Sequence, residues 1–456
     1  MDKEKCQGSI MLQGTSSNVG KSVLAAALCR ILSRDGCRVA PFKSWNMSLN
    51  SIVTAGGGEI GIAQAIQAEA AGIEPTVDMQ PLLIKPEGNG RTQKVIRGRP
   101  ILEEMDNFIE QGLEIIEESY RRLQNSYDVL VVEGAGSPVE MNVRERDLAN
   151  MKVALMDKIP VVLVADIDRG GALASVVGTL TLLPAAEKRL VKGIIINRFR
   201  GDYEILRPGI EFLEEHTGKP VLGVIPYLSD IKLPEEDAVA IERRKNTGSQ
   251  KKTGKLLQIR VVRLPRISNF TDFAALAREP DVKLEYVTKP EDLSGADLII
   301  IPGSKNTISD LNFLRQSGLF SAIREKAGQN KQIAGICGGF QMLGRELRDP
   351  EKIEGDNTSG EGLDLLPMRT VFSAEKKTNK IKGRIIADRG VFKNLAGEQI
   401  SGYEIHMGQT NFIEELSPLF RILSCSGSRQ DYPEGAINEQ GNVWGTYLHG
   451  LFNNNK

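Results

Sequence analysis

Two stretches carry side chains at a spacing that does chemistry. The first is Gly14-Thr15-Ser16-Ser17-Asn18-Val19-Gly20-Lys21-Ser22, entered from an apolar run ending in Ile10, Met11 and Leu12. A helical pattern follows, with Val23, Leu24, Ala27, Leu28, Ile31 and Leu32 on one face. Strand, glycine-bounded loop, Gly-Lys-Ser and helix together read as a phosphate-binding loop. Its backbone N–H groups and the positive helix end face an anion. Thr15, Asn18 and Gly20 belong to that cradle, Lys21 reaches the terminal phosphates, and Ser22 places its hydroxyl on a magnesium ion. Five residues separate Gly14 from Gly20, one more than the common form of the loop.

The second stretch is Gly335-Ile336-Cys337-Gly338-Gly339, between the apolar run from Ile333 and a helical segment through Leu343. A nucleophile flanked by glycines at a strand-to-helix turn is held exposed above a sheet. The helix N-terminus favours negative charge on the sulfur. The Gly338 amide and an N–H near Gly303 would form an oxyanion hole. A cysteine nucleophile needs a base, and the chain has three histidines. His449 follows a short apolar strand and precedes a glycine, so it is the expected general base. His406, in Gly402-Tyr403-Glu404-Ile405-His406-Met407-Gly408, is either a substrate-loop residue or a structural hydrogen-bonder, and His216 lies at a helix end in the first half.

These residues need elements that position them. The first half alternates apolar strands with helical segments, which predicts a doubly wound, mostly parallel sheet with right-handed crossovers. Arg38 to Lys43, Val129 to Val132, Val161 to Ala165, Gly193 to Ile196 and Val221 to Ile225 are the predicted strands after the first. Ligands gather at the carboxyl ends of such strands. Lys43 and Asn46 follow the second strand there, and Glu133 ends the next, where a carboxylate can hold magnesium beside the phosphates. Asn197 ends a later strand and reads as an adenine contact or a turn residue. Asp147 is either a helix N-terminal charge or a substrate contact.

Size and composition bound the rest. A chain of 456 residues is too long for one ordinary core. The apolar signal collapses from Ser229 to Lys255, so we read a domain at 1–228, a linker at 229–256 and a second αβ domain at 257–456. Strands are predicted at 259–262, 284–287, 298–301 and 333–336. Net charge of −1 and 5% aromatics give no footprint for nucleic acid or a membrane surface. No leader or membrane-length apolar run is expected. Five scattered cysteines without a metal spacing point to a reduced, cytoplasmic chain.

Taken together the motifs resemble a known family. Cys337 in its glycine turn with a distant His449 is similar to the class I glutamine amidotransferase domain. Ile301-Pro302-Gly303-Ser304-Lys305, Tyr403-Glu404-Ile405-His406 and Gly445-Thr446-Tyr447-Leu448-His449-Gly450 resemble its cobyric acid branch. The variant phosphate loop is close to that of dethiobiotin synthetases. With Pro41-Phe42-Lys43, Asn46 to Ser51, Glu133-Gly134-Ala135-Gly136 and Asn197 to Asp202, the amino-terminal half resembles the cobyric acid synthases.

The resemblance implies a flavodoxin-like second domain, ATP and Mg2+ as cofactors, and glutamine and adenosylcobyrinic acid a,c-diamide as substrates. It implies a carbon–nitrogen ligase that amidates the b, d, e and g carboxylates in cobalamin biosynthesis; a homo-oligomer is compatible with it. Most class I amidotransferases carry a Glu two residues after the histidine, where this chain has Leu451. The cobyric branch generally lacks it too, so Cys337 and His449 would act as a dyad, with no residue assigned to orient the histidine. Nucleotide switches of the ParA/MinD kind would instead place a Lys where Thr15 and Ser16 stand.

Overall fold

A computed structural model describes residues 7–88, 90–101, 107–229 and 256–454. The expected linker at 229–256 lies almost wholly outside them. Two compact units form, one of Met1–Met47, Ile60–Ile84 and Val95–Leu233, the other of Ser48–Glu59, Lys85–Lys94 and Pro234–Lys456. They do not follow a single cut through the chain. Ser48–Glu59 and Lys85–Lys94, expected within the first domain, group with the second.

The first unit is built on a six-stranded parallel sheet. Its strands lie in the order Val221–Pro226, Val191–Phe199, Val161–Asp166, Gly8–Gly14, Val129–Glu133, Val39–Phe42. The near-continuous Val, Ile and Leu of these runs suit strands covered on both faces. Val129 to Glu133 and Val161 to Asp166 are buried throughout. From Gly8–Gly14 the chain first winds to one side and then to the other. The crevice of such a sheet opens at that switch point, and the loop after Gly14 lies there.

The helix after the loop, Lys21–Arg34, differs from its expected face. Ala25, Ala26 and Cys29 are buried, while Ile31 is half exposed. Small side chains allow the close packing with the helix Ile62–Ala71 that leaves Lys21 and Ser22 at the loop. Lys21–Arg34 begins at Gly20, whose φ of 101° favours glycine.

The second unit holds a parallel sheet in the order Val282–Val287, Leu257–Val262, Leu298–Ile301, Gln332–Ile336, Val443–Thr446, with Ala436–Ile437 added antiparallel. That is the flavodoxin-like order. Between its fourth and fifth strands the chain builds an antiparallel sheet that the sequence reading had not placed. Met368–Ile385 and Gln399–Phe412 are its long central pair. Their charged, half-exposed residues hide the alternation that marks a strand.

No described helix is long and apolar enough to cross a membrane. Cys29, Cys337 and Cys425 are free thiols, whereas Cys37 is disulfide-bonded, which corrects the expectation of a fully reduced chain.

The turn after Gln332–Ile336 is among the tightest packing points of the second unit. A Cβ added to Gly339 would overlap the carbonyl oxygen of Ile301, which is backbone and cannot swing away. Gly339→Ala is therefore expected to destabilise the protein by about 3 kcal/mol, read as a lowered denaturation midpoint. A midpoint equal to wild type would show that the neighbouring strand yields freely.

Candidate active site

In the first unit the phosphate-loop residues come together around one carboxylate. Glu133 ends its strand fully buried. Its Oε1 accepts from the Ser22 hydroxyl at 2.7 Å and from Lys43 Nζ at 3.0 Å, and its Oε2 accepts from Gln67 Nε2 at 2.6 Å. Burial pushes the Glu133 carboxyl up, but the Lys43 ammonium and these donors prevail and hold it below the usual range. Lys21 Nζ lies over the loop, donating to the carbonyls of Ser16 at 3.1 Å and Gly136 at 3.2 Å. A serine hydroxyl beside an ionised carboxylate is a donor set that suits magnesium, which keeps its remaining positions for water and phosphate. Gln67 was missed because its helix offers no spacing rule that points to Glu133.

The other residues expected here divide. Asn18 takes a left-handed φ of 60° in the loop, and Thr15 N–H donates to Val164 O at 2.9 Å, which ties the loop to the sheet. Asn197 Nδ2 donates to Val19 O at 2.7 Å, and a Cβ on Gly20 would collide with it. Asn197 thus braces the loop. Asn46 is buried beside Gly61, its amide nitrogen 3.3 Å from where a Cβ would stand. Asp147 takes the first of its two readings. Its carboxylate accepts from the backbone N–H of Ala149, Asn150 and Met151 at 2.9 to 3.0 Å. It lies just ahead of the helix Met151–Met156 and accepts the N–H groups that lead into it, which fits the reading as a helix N-terminal charge.

In the second unit Cys337 stands between the strand Gln332–Ile336 and the helix Gly338–Met342 with φ 52° and ψ −110°. That is a left-handed-side conformation a non-glycine residue rarely holds. Its Sγ lies 3.5 Å from Ile405 O. Gly338 begins the helix, so its N–H has no intrahelical partner. A Cβ there would sit 2.8 Å from Ser304 N, and one on Gly303 would sit 3.4 Å from His449 Cε1. Both expected oxyanion residues therefore adjoin the reactive pair.

His449 is fully buried and lines the same cavity as Cys337. Its Nδ1 meets Asp272 Oδ2 at 2.7 Å, and Asp272 Oδ1 accepts from Gly450 N–H at 3.0 Å. The ring stacks on Tyr403 at 5.4 Å between centroids. Burial alone would lower the imidazole's affinity for a proton. The neighbouring Asp272 carboxylate, with Cys337 beside it, overcomes this and raises His449 to about 10. The expected dyad thus has an orienting third group, in the order nucleophile, base, carboxylate. Asp272 was missed because it lies 177 residues before its partner. The signal available was its place in a loop beyond a strand's carboxyl end. A short 3-10 turn, Phe270–Phe273, capped by Asn269 at φ 49°, sets its position.

His406 lines the same cavity. Its Nδ1 donates to Gly408 O at 2.8 Å, and its ring stacks on Tyr447 at 3.7 Å. Burial lowers it to about 3, so it is a neutral hydrogen-bonding wall residue. The cavity measures about 480 Å³ including its mouth and reaches Cys337, His449, Ser304 and Gln341.

A nucleotide-binding loop and a cysteine–histidine–carboxylate centre on one chain define a glutamine-dependent, ATP-using amidoligase. Residues 10–240 match the CobQ/CobB/MinD/ParA nucleotide binding domain, and residues 258–456 match the CobB/CobQ-like glutamine amidotransferase domain. Cobyric acid synthase of Moorella thermoacetica is 52% identical over 98% of this chain and 86% of its own length. That of Pelotomaculum thermopropionicum is 51% identical over 98% and 85%, and that of Desulforamulus reducens 48% over 98% and 87%. The chain belongs to the cobyric acid synthase family.

Asp272→Asn is expected to lower glutamine hydrolysis about 100-fold or more. It is also expected to change the pH dependence of stability. His449 is held above its unfolded value of 6.5, so its contribution is complete below that pH and fades as pH rises toward about 10. Wild type should lose melting temperature across this window more steeply than Asp272→Asn. Parallel curves would mean that Asp272 does not set the proton on His449.

Proposed function

We propose that this protein carries out glutamine-dependent amidation of carboxylates on adenosylcobyrinic acid a,c-diamide, at the b, d, e and g side chains. The observation that carries this reading is the hydrogen-bonded His449–Asp272 pair on the cavity of Cys337, in a chain that also holds Lys21, Ser22 and Glu133 at a phosphate loop. Cys337 Sγ attacks the side-chain amide carbon of glutamine, and the Gly338 N–H faces the oxygen that gains charge. His449 gives its proton to the departing nitrogen, which leaves as ammonia and a glutamyl thioester. His449 then takes a proton from water, whose oxygen attacks the thioester and frees glutamate and the cysteine. Asp272 keeps the imidazole in one orientation through this cycle.

At the other centre a carboxylate is a poor electrophile and must be activated. The terminal phosphoryl group of ATP passes to a carboxylate oxygen, with ADP leaving. Ammonia attacks the carbonyl carbon of that acyl phosphate, and inorganic phosphate departs as the amide forms. Lys21 and the loop amides stabilise charge on the transferring group. Ser22 and Glu133 would hold Mg2+, which supplies charge neutralisation at the phosphates when bound. Lys43 and Gln67 fix the Glu133 carboxylate in place. We assign activation to the unit of the phosphate loop and ammonia release to the unit of Cys337, and place the enzyme in the cytoplasm, where ATP and glutamine are supplied.

Two variants test this division. Cys337→Ala should abolish glutamine-driven amidation, and added ammonium should restore it, as read by product mass. Lys21→Ala should lower amidation about 100-fold with either nitrogen source. Loss of both nitrogen sources in Cys337→Ala, or full turnover in Lys21→Ala, would contradict the reading.

A further inference from the structure

We propose that Lys376 and Lys85, held together on Glu59, receive the α-carboxylate of glutamine in the cavity of Cys337. This rests on the reading that Cys337 hydrolyses glutamine, and it assigns the part of the site that recognises the amino-acid head. Both lysines line the cavity with Cys337, His406 and His449. All the residues concerned belong to the second unit, although Glu59 and Lys85 come from segments in the amino-terminal part of the chain.

The charge count points to an anion. Glu59 is fully buried and is ion-paired to Lys85 Nζ through Oε1 and to Lys376 Nζ through Oε2, the latter at 2.6 Å. The two lysine side chains are only 6% exposed. Lys376 also donates to Gln93 Oε1 at 3.1 Å, and Lys85 donates to Ser51 Oγ at 2.8 Å. Ser51 in turn donates to Glu59 Oε1 at 2.5 Å. The neutral oxygens of Gln93 and Ser51 offset no charge. A further carboxyl lining the cavity, Glu354, accepts from Thr307 N–H at 2.8 Å and is pushed up to about 7 by burial. Lys376 and Lys85 therefore share the one ionised carboxylate of Glu59, and a buried surplus of charge is costly until a counter-charge joins it. The third lysine of the cavity, Lys305, has its own partner in Glu87 at 2.9 Å.

Burial pushes Glu59 up, but the two ammoniums prevail and keep it ionised. Burial lowers Lys376 to about 8, against the pull of Glu59. An arriving carboxylate would favour its charged form. Glutamine brings one anionic group, its α-carboxylate, attached to the end of the molecule remote from the amide that must meet Cys337. An anion site on the same cavity as the thiol therefore reads both ends of the substrate.

The test compares glutamine with its α-methyl ester, in which that charge is gone, as substrates of the full-length protein. Steady-state ammonia release is measured. Wild type should prefer glutamine in kcat/KM by about 100-fold. In Lys376→Met the preference should fall below about fivefold, with the loss in KM for glutamine. Lys85→Met should move the same way, and Lys376→Arg should keep most of the preference. An undiminished preference in Lys376→Met and Lys85→Met overturns the assignment, as does a loss of preference in Lys376→Arg equal to that in Lys376→Met. Absence of ammonia release from glutamine by wild type overturns the glutaminase reading itself, and the assignment with it.

Discussion

Three of the buried carboxylates among the described residues stand at or beside the reactive centres, and each is answered by cations or hydrogen-bond donors gathered from distant parts of the chain. Asp272 faces the His449 imidazole. Glu133 faces Lys43, Ser22 and Gln67. Glu59 faces two lysines. Removing a carboxylate from water costs several kcal/mol unless partners restore what hydration supplied. That requirement fixes the partners' positions, and those partners include the groups that would meet phosphate, the reacting amide and the amino-acid head.

The same constraint gives the two centres opposite electrical characters. At the phosphate loop the carboxylate is kept ionised by donors, so it is ready to hold a divalent cation against an anionic ligand. At the cysteine the carboxylate acts one step removed, by stabilising charge on an imidazole. Burial alone would strip that imidazole of its proton, as it does at His406. Two histidines in one cavity thus differ because one faces a carboxylate and the other a backbone carbonyl.

Much of this was legible in the residues. Continuous apolar runs such as Val129 to Val132 mark doubly covered strands, and Gly14 to Ser22 and Gly335 to Gly339 mark turns that only small residues can make. Cys337 and His449 were legible because a glycine-flanked cysteine and a shortage of histidines leave few choices. Asp272, Gln67, Lys85 and Lys376 were not. Each acts through a partner far away in sequence, and a single chain gives no spacing rule for such pairs. The antiparallel sheet escaped because strands with one wet face and many lysines lack an apolar signature. The helix face was misjudged at Ile31 because close packing chose alanine and cysteine over larger side chains.

The central claim is that a buried carboxylate decides the charge on the general base. Nitrogen-15 NMR of protein labelled in its three histidines reads this directly. With the His449 signal assigned by its loss in His449→Gln, the account predicts a doubly protonated imidazolium at about pH 8, where a free histidine is neutral. A neutral His449 ring at that pH would contradict it.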